Sequence, residues 1–435
     1  MALIPSGDFA LPCPAKGLRN GFALLMSLLL AVGAIVYGPA APAQAAAGDI
    51  RCGSTYIYGL RVGANNNTDN ASLLRFTASS GTWGQIGSFN SGTAALNALG
   101  IDAAGDLAYA MGPASNGGAN MYRYRDSSGA GDAAVALTGF NTGISSFLAG
   151  AVDPTTGLYW VGGMASTTAF WAYSINPSTK AVTFRFNVTV PSGSNADMAF
   201  DSQGNLYLAV SPDNTKGEVR LYTADALTRT DPPGVTLSSL DASSGGYPGM
   251  AFASDGFLYL SSGSALKKAR PSTGVVEQTI TTGYDNRISD LGSCATPTVV
   301  YALQKNVVSR KASTDQFTLT MTGTKVSKSA TTTGTATGLQ SAVAGPVLVI
   351  AGESYQMSEA ASGTTNLSNY LSSYSCTGTR TGTTAGTGTS FALTAPAADD
   401  DGKGDNITCT FTNEAKNPAI QVVKNAVGTP TKAGD

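Results

Sequence analysis

A phrase that returns four times at nearly constant spacing constrains this chain more than any other feature. It reads Leu99-Gly-Ile-Asp-Ala-Ala-Gly-Asp-Leu-Ala-Tyr109, then Ala151-Val-Asp-Pro-Thr-Thr-Gly-Leu-Tyr159. It returns as Met198-Ala-Phe-Asp-Ser-Gln-Gly-Asn-Leu-Tyr207 and Met250-Ala-Phe-Ala-Ser-Asp-Gly-Phe-Leu-Tyr259. With Ile101, Val152, Phe200 and Phe252 as equivalent positions, the steps are 51, 48 and 52 residues. Short strands repeated at roughly 40–50 residues build radially repeated sheets, the architecture of a β-propeller. Each phrase reads as a hairpin: an apolar strand, a turn whose Gly takes positive φ, and a second apolar strand leaving through Leu-Tyr.

A second unit alternates with the first. Leu74-Arg-Phe-Thr-Ala-Ser-Ser-Gly81, Tyr122-Arg-Tyr-Arg-Asp-Ser-Ser-Gly129 and Ala172-Tyr-Ser-Ile-Asn-Pro-Ser-Thr179 each combine a strand with a polar turn. Val219-Arg-Leu-Tyr222 and Leu266-Lys-Lys-Ala-Arg-Pro-Ser-Thr-Gly274 continue the series. The alternation at Leu74/Phe76, Tyr122/Tyr124 and Val219/Leu221 is the two-residue period of half-buried strands. An inner plus an outer hairpin makes a four-stranded blade. The two ends, 50–60 and 287–294, supply the remaining inner strands. If they share one blade, with Ile288-Ser-Asp-Leu291 beside Tyr56-Ile-Tyr58, the ring has five blades; separate blades would make six. Closure removes exposed strand edges.

Composition narrows the classes. Charged residues are 12% of the chain and the net charge is −2, with no basic block, which argues against nucleic acid as a partner. The chain contains no His, which removes Ser-His and Cys-His catalysis and most zinc and haem chemistry. No cofactor and no resident metal is called for. Lys16 and Arg19, the apolar run 22–36 and Ala43-Gln-Ala45 form the three regions of a secretory signal, expected to span residues 1–45. The run is short for a membrane-spanning helix and no second one follows, so the mature chain is expected to have no transmembrane segment. Removing the signal takes away Cys13 and leaves Cys52, Cys294, Cys376 and Cys409. An even number in an exported chain predicts disulfides, with three pairings open. Cys52 and Cys294 flank the repeat region, and Cys376 and Cys409 lie in the segment after it, which favours pairing within each region.

The expected organisation is a signal over 1–45, the propeller over 46–295, and a β-sandwich over 296–415. The remainder, 416–435, reads as a linker and the first strand of a further repeat. The sandwich is read from short β-branched strands separated by turns, among them Phe317-Thr-Leu-Thr-Met321, Val347-Leu-Val-Ile350, Tyr355-Gln-Met357, Phe391-Ala-Leu393 and Ile407-Thr-Cys-Thr-Phe411. The fold class is therefore all-β.

Three motifs in this segment carry a resemblance. A first strand holds a lysine in Tyr301-Ala-Leu-Gln-Lys-Asn-Val307. A middle strand ends in Ser-Glu in Gly352-Glu-Ser-Tyr-Gln-Met-Ser-Glu-Ala360, with Tyr370 beyond, and a last strand reads Thr410-Phe-Thr-Asn413. The segment resembles the prealbumin-like (SpaA and Cna B-type) stalk domains of bacterial surface proteins. That family's Pro-Gly-Tyr after the Glu is replaced here by a longer run, 360–369. The resemblance implies a self-formed isopeptide bond from Lys305 to Asn413, assisted by Glu359. A buried Lys is disfavoured as a cation, and a buried Glu is pushed toward its protonated form. The last stretch, 418–435, is similar to the opening strand of the repeat domains that follow one another in such proteins, and the repeat region resembles their propeller-like heads.

Other polar groups read as structural. Asp102, Asp153 and Asp201 stand where their side chains bond the turn backbone. The run Asp399-Asp-Asp-Gly-Lys-Gly-Asp-Asn406 lacks the bidentate Glu of a calcium loop and reads as a solvated hairpin. Trp83, Trp160 and Trp171 lie in strands, where packing between blades is expected. The resulting expectation is a secreted or cell-surface protein, not an enzyme, with a head that engages a surface protein or glycan and a stalk module. The alternative is a secreted calcium-dependent, lactonase-like propeller hydrolase with carboxylates converging on its channel.

Overall fold

The repeated phrases become paired strands that radiate from one axis. The structure, a computed structural model, describes residues 50–53, 55–62, 70–189, 193–212, 218–222, 247–262, 264–283 and 288–417. The expected signal, 1–45, and the start of a further repeat expected in 418–435 lie outside the described residues. Strands β1 (Tyr56–Arg61), β2 (Ser72–Thr77) and β3 (Thr82–Ser88) begin the first sheet. The second holds β4 (Asn97–Ile101), β5 (Leu107–Met111), β6 (Gly118–Arg125), β7 (Ala130–Gly131) and β8 (Val135–Thr138). The third is β9 (Ala149–Val152), β10 (Tyr159–Ser166), β11 (Ala169–Ile175) and β12 (Val182–Thr189). The fourth is β13 (Gly193–Phe200), β14 (Leu206–Pro212) and β15 (Glu218–Tyr222). The fifth is β16 (Met250–Phe252), β17 (Leu258–Ser262), β18 (Ala265–Ala269) and β19 (Val276–Thr281). Finally β20 (Ile288–Gly292) returns to pair with β1, so the first and last strands share a sheet.

The innermost strands neighbour one another in the order β4, β9, β13, β16, β20 and back to β4. This cycle is a closed five-bladed propeller. At its hairpin turns Gly105, Gly157, Gly204 and Gly256 have φ between +69° and +85°, the left-handed region that selects glycine. Apolar clusters hold neighbouring blades together. Trp160 and Phe170 of the third sheet pack on Met198 and Phe200 of the fourth, the Trp160 and Phe200 rings 5.8 Å apart. Each large side chain so buried contributes about 1.5–3 kcal/mol.

The prealbumin-like domain follows directly as two sheets. Its strands are β21 (Val299–Val307), β22 (Gln316–Gly323), β23 (Val326–Thr331), β24 (Gly338–Ala344), β25 (Val347–Leu348), β26 (Ser354–Ser362), β27 (Tyr370–Gly378), β28 (Gly382–Thr387), β29 (Ser390–Thr394) and β30 (Asn406–Ala415). One sheet runs β24-β21-β30-β27-β28, with β25 also on β21; the other runs β23-β22-β26-β29. The first and last strands, β21 and β30, are parallel neighbours.

The two domains share apolar surface. Val299 and Leu348 join Tyr207, Phe252 and Leu258 in one cluster, and Ile350 joins Phe257 and Tyr259 in another. Arg270 of the head, 2% exposed, bridges this junction with two 2.8 Å bonds to Glu353, and it also holds Glu277. The sandwich therefore covers the propeller face that carries the inner-hairpin turns. The Asp255 carbonyl accepts from Ala351 N, and the Ser202 hydroxyl donates to the Pro297 carbonyl.

Candidate functional site

Three strands of the sandwich each break an inward apolar row with one polar residue. On β21 Lys305 stands between buried Leu303 and Val307. On β30 Asn413 follows buried Ile407, Cys409 and Phe411, and on β26 Glu359 follows buried Tyr355 and Met357. Alternation thus sends all three side chains into the space between the sheets. Lys305 and Asn413 are 0% exposed and Glu359 5%.

The register explains why they meet. Parallel pairing sets Lys305 beside Phe411 and Val307 beside Asn413, so the lysine and asparagine lie on adjoining strands two residues apart in register. Glu359 approaches from the opposite sheet. Lys305 Nζ forms an ion pair with Glu359 Oε2 and donates to the Phe411 carbonyl at 3.3 Å. Asn413 Nδ2 donates to Glu359 Oε1 at 2.8 Å, while Asn413 Oδ1 has no hydrogen-bond partner among the described residues. The Phe317 ring lies 4.7 Å from Lys305 Nζ, and Val307, Phe317 and Tyr370 close this end of the core.

Burial pulls the Lys305 amine down to about 8, outweighing the opposing pull of Glu359. A free amine is thus accessible beside a carboxamide and a carboxyl, in a space that excludes water. Turning the Asn413 amide about its terminal bond would bring the unpartnered Oδ1 to Glu359.

The structure joins Cys376 on β27 to Cys409 on β30, directly opposed in register, and Cys52 to Cys294. The latter sits at the seam where β20 meets β1. The remaining polar candidates are engaged in local structure. Asp102 Oδ1 accepts from Asp106 N and Leu107 N, Asp153 holds Thr155 and Thr156, and Asp201 accepts from Gln203 N and Asn205 N. Asp399 Oδ1 accepts from Asp401 N and Lys403 N within its loop. No group of three or more His, Cys, Asp or Glu suited to a metal occurs among the described residues. Trp160 is buried, and Trp83 and Trp171 are partly buried against blade cores. Sequence reasoning missed two groups: the Arg270–Glu353 bridge and a pair of axial carboxyls, Asp197 and Asp290. The latter are marked in sequence only as aspartates standing one residue before an inner-strand apolar position.

Residues 300–415 match a family described as a prealbumin-like fold domain, of the SpaA type. Residues 62–228 match a family described as a repeat of unknown function, DUF6923. No curated protein is significantly similar to the chain. Among solved structures, TolB from Acinetobacter baumannii is similar at 12% identity and a TM-score of 0.35, over 68% of this chain and 64% of that one. The chain thus spans less than two thirds of that protein's length. A protein of unknown function from Dyadobacter fermentans is similar at 13% identity and TM-score 0.36, over 66% of this chain and 86% of that one. An engineered GH43 glycoside hydrolase with endo-xylanase and exo-arabinofuranosidase activity gives 12% and 0.40, over 84% and 93%.

Proposed function

We propose that this is an exported surface protein: a propeller head that engages a surface protein or glycan without turnover, carried on a prealbumin-like stalk module locked by a Lys305–Asn413 isopeptide bond. The observation that carries the reading is the joint burial of Lys305, Glu359 and Asn413, with the lysine's basicity lowered and the asparagine carbonyl left unpartnered. In the reaction the Lys305 amine attacks Asn413 Cγ, a C–N bond forms, and the amide nitrogen leaves as ammonia. Glu359 takes a proton from the amine and delivers one to the leaving group. The bond would fasten the first strand of the module to its last.

Two disulfides fit an oxidising, extracellular setting. A non-catalytic head is favoured by its axial cavity, about 30 Å³ and room for one water, which the axial carboxyls of Asp197 and Asp290, fully buried and held by backbone N–H groups, do not line. Because the sandwich occupies the hairpin-turn face, recognition falls to the opposite face of the ring, where loops can vary on a rigid scaffold. The test is binding of the exported chain to envelope and host proteins and glycans, run beside ester, lactone and glycoside hydrolysis with and without calcium. Binding without turnover supports the reading; calcium-dependent turnover without binding contradicts it.

A further inference from the structure

The head contains two buried carboxyls that the lysine site does not use. Asp197 on β13 and Asp290 on β20 are both 0% exposed, and their carboxyl groups lie within hydrogen-bonding reach of each other. Their position follows from the repeat. Leu99, Gly150, Met198 and Met250 stand two residues before Ile101, Val152, Phe200 and Phe252, so they are equivalent in four blades. The Leu99 N–H donates to Asp290 Oδ2 at 2.6 Å. Those of Gly150 and Met198 donate to Asp197 Oδ1 at 3.3 and 2.6 Å, and that of Met250 to Asp197 Oδ2. In the closing strand the Leu291 N–H donates to Asp290 Oδ1 at 2.8 Å. One donor from every blade converges on the pair.

The residues just before these donors are Ala98, Ala149, Asp197, Gly249 and Asp290. Three are small where two are acidic. At Gly249 a Cβ would fall 2.6 Å from Leu291 N and 2.9 Å from the Asp290 carbonyl carbon. The axis is thus packed tightly around the two carboxyls.

Five N–H donors favour negative charge, while two touching carboxylates in a dry core repel. We propose that Asp197 and Asp290 share one proton across the axis of the head and act as a pH-responsive lock on the ring, closed while the proton is held and loosened when it leaves. On opening, the O–H bond of the protonated carboxyl breaks and the proton passes to water. Two carboxylates then face each other with no cation paired to either among the described residues.

Burial pushes both acids up, Asp197 to about 8 and Asp290 well above the carboxylate range, where the Asp197 charge adds to burial. The other titratable groups on this side are Tyr159 from β10 and Tyr109 from β5, stacked at 5.3 Å. Burial raises both, Tyr109 to about 12, so they stay neutral while the pair titrates. Strands β4, β9 and β16 present backbone donors, and β1 sets Leu60 opposite Asp290. Because the folded values exceed the unfolded ones, the pair's contribution is full below the ordinary carboxylate range, falls as the pH rises through about 8, where the first proton leaves, and falls further above that as the shared proton leaves.

All three tryptophans lie in the head, so their fluorescence follows its unfolding alone. In the full chain the head's Tm is expected to fall by roughly 10 °C between pH 5 and 9. In Asp290→Asn the fall shrinks clearly, leaving what Asp201, also raised by burial, contributes. A flat wild-type profile, or an undiminished fall in both Asp197→Asn and Asp290→Asn, overturns the proposal. Infrared spectroscopy of the wild type needs no variant to fold. A protonated-carboxyl band persisting at pH 7 and weakening as the pH passes about 8 is expected, and its absence at pH 7 overturns the proposal.

Discussion

In the head, the first and last strands lie side by side, β1 against β20, and Cys52–Cys294 ties their ends. In the sandwich, β21 and β30 also lie side by side, and the groups between them are Lys305, Glu359 and Asn413. The head places a disulfide where its first strand meets its last, the sandwich buries Lys305, Glu359 and Asn413 there, and both bury ionisable groups near that seam. The burial differs in kind. The axial carboxyls have every oxygen engaged by backbone donors or by each other, whereas Asn413 Oδ1 has no partner and Lys305 is held below its usual basicity. Satisfied buried groups hold a structure and titrate; an unsatisfied one beside a weakened base is set up to react.

The largest effect is expected at the head's seam. Cys52→Ser/Cys294→Ser opens a tie across 242 residues and should lower head stability by up to about 5 kcal/mol, read by tryptophan fluorescence in denaturant, with the sandwich unchanged. The matching test in the sandwich is Cys376→Ser/Cys409→Ser, a tie across 33 residues worth up to about 4 kcal/mol. That loss should appear in an Asn413→Ala background and shrink when Asn413 is present, because a Lys305–Asn413 bond already restricts the same segment. Equal losses in both backgrounds would break the comparison.

The pH responses should have opposite signs. The free Lys305 of Asn413→Ala has a lowered folded pKa, so the unfolded chain holds the extra proton above pH 8. The sandwich should therefore gain about 2–3 kcal/mol as pH rises from 8 to 10, measured by chemical denaturation at each pH. A crosslinked wild-type lysine no longer titrates, and its sandwich should lack this gain. The smallest effect is at the junction. Arg270→Ala should cost about 2 kcal/mol, the Glu353 side chain being 24% exposed, and should separate the unfolding of head and sandwich in calorimetry.

The ring was legible because its turn chemistry repeats: an apolar strand, a short turn ending in a left-handed Gly, then Leu one or two residues on. The lysine site was legible through resemblance, and also as polar exceptions at positions where Leu303, Val307, Met357 and Phe411 keep the inward rows apolar. The axial pair was hidden because the repeats differ at that position, reading Ala98, Ala149, Asp197 and Gly249, and only closure superimposes their neighbours' N–H groups. The Arg270–Glu353 bridge spans 83 residues between domains, and nothing local to either residue announces the other. The Asp102, Asp153 and Asp201 turns were read from local chemistry alone, since their hydrogen bonds reach no farther than six residues.

The most direct measurement is the intact mass of the exported chain, followed by peptide mapping without reduction. The account predicts a deficit of about 17 Da beyond the two disulfides, one ammonia, together with a branched peptide joining Lys305 to Asn413. Both should be lost in Glu359→Ala. A folded wild-type chain at the full disulfide-bonded mass, with Lys305 and Asn413 recovered in separate peptides, would contradict it.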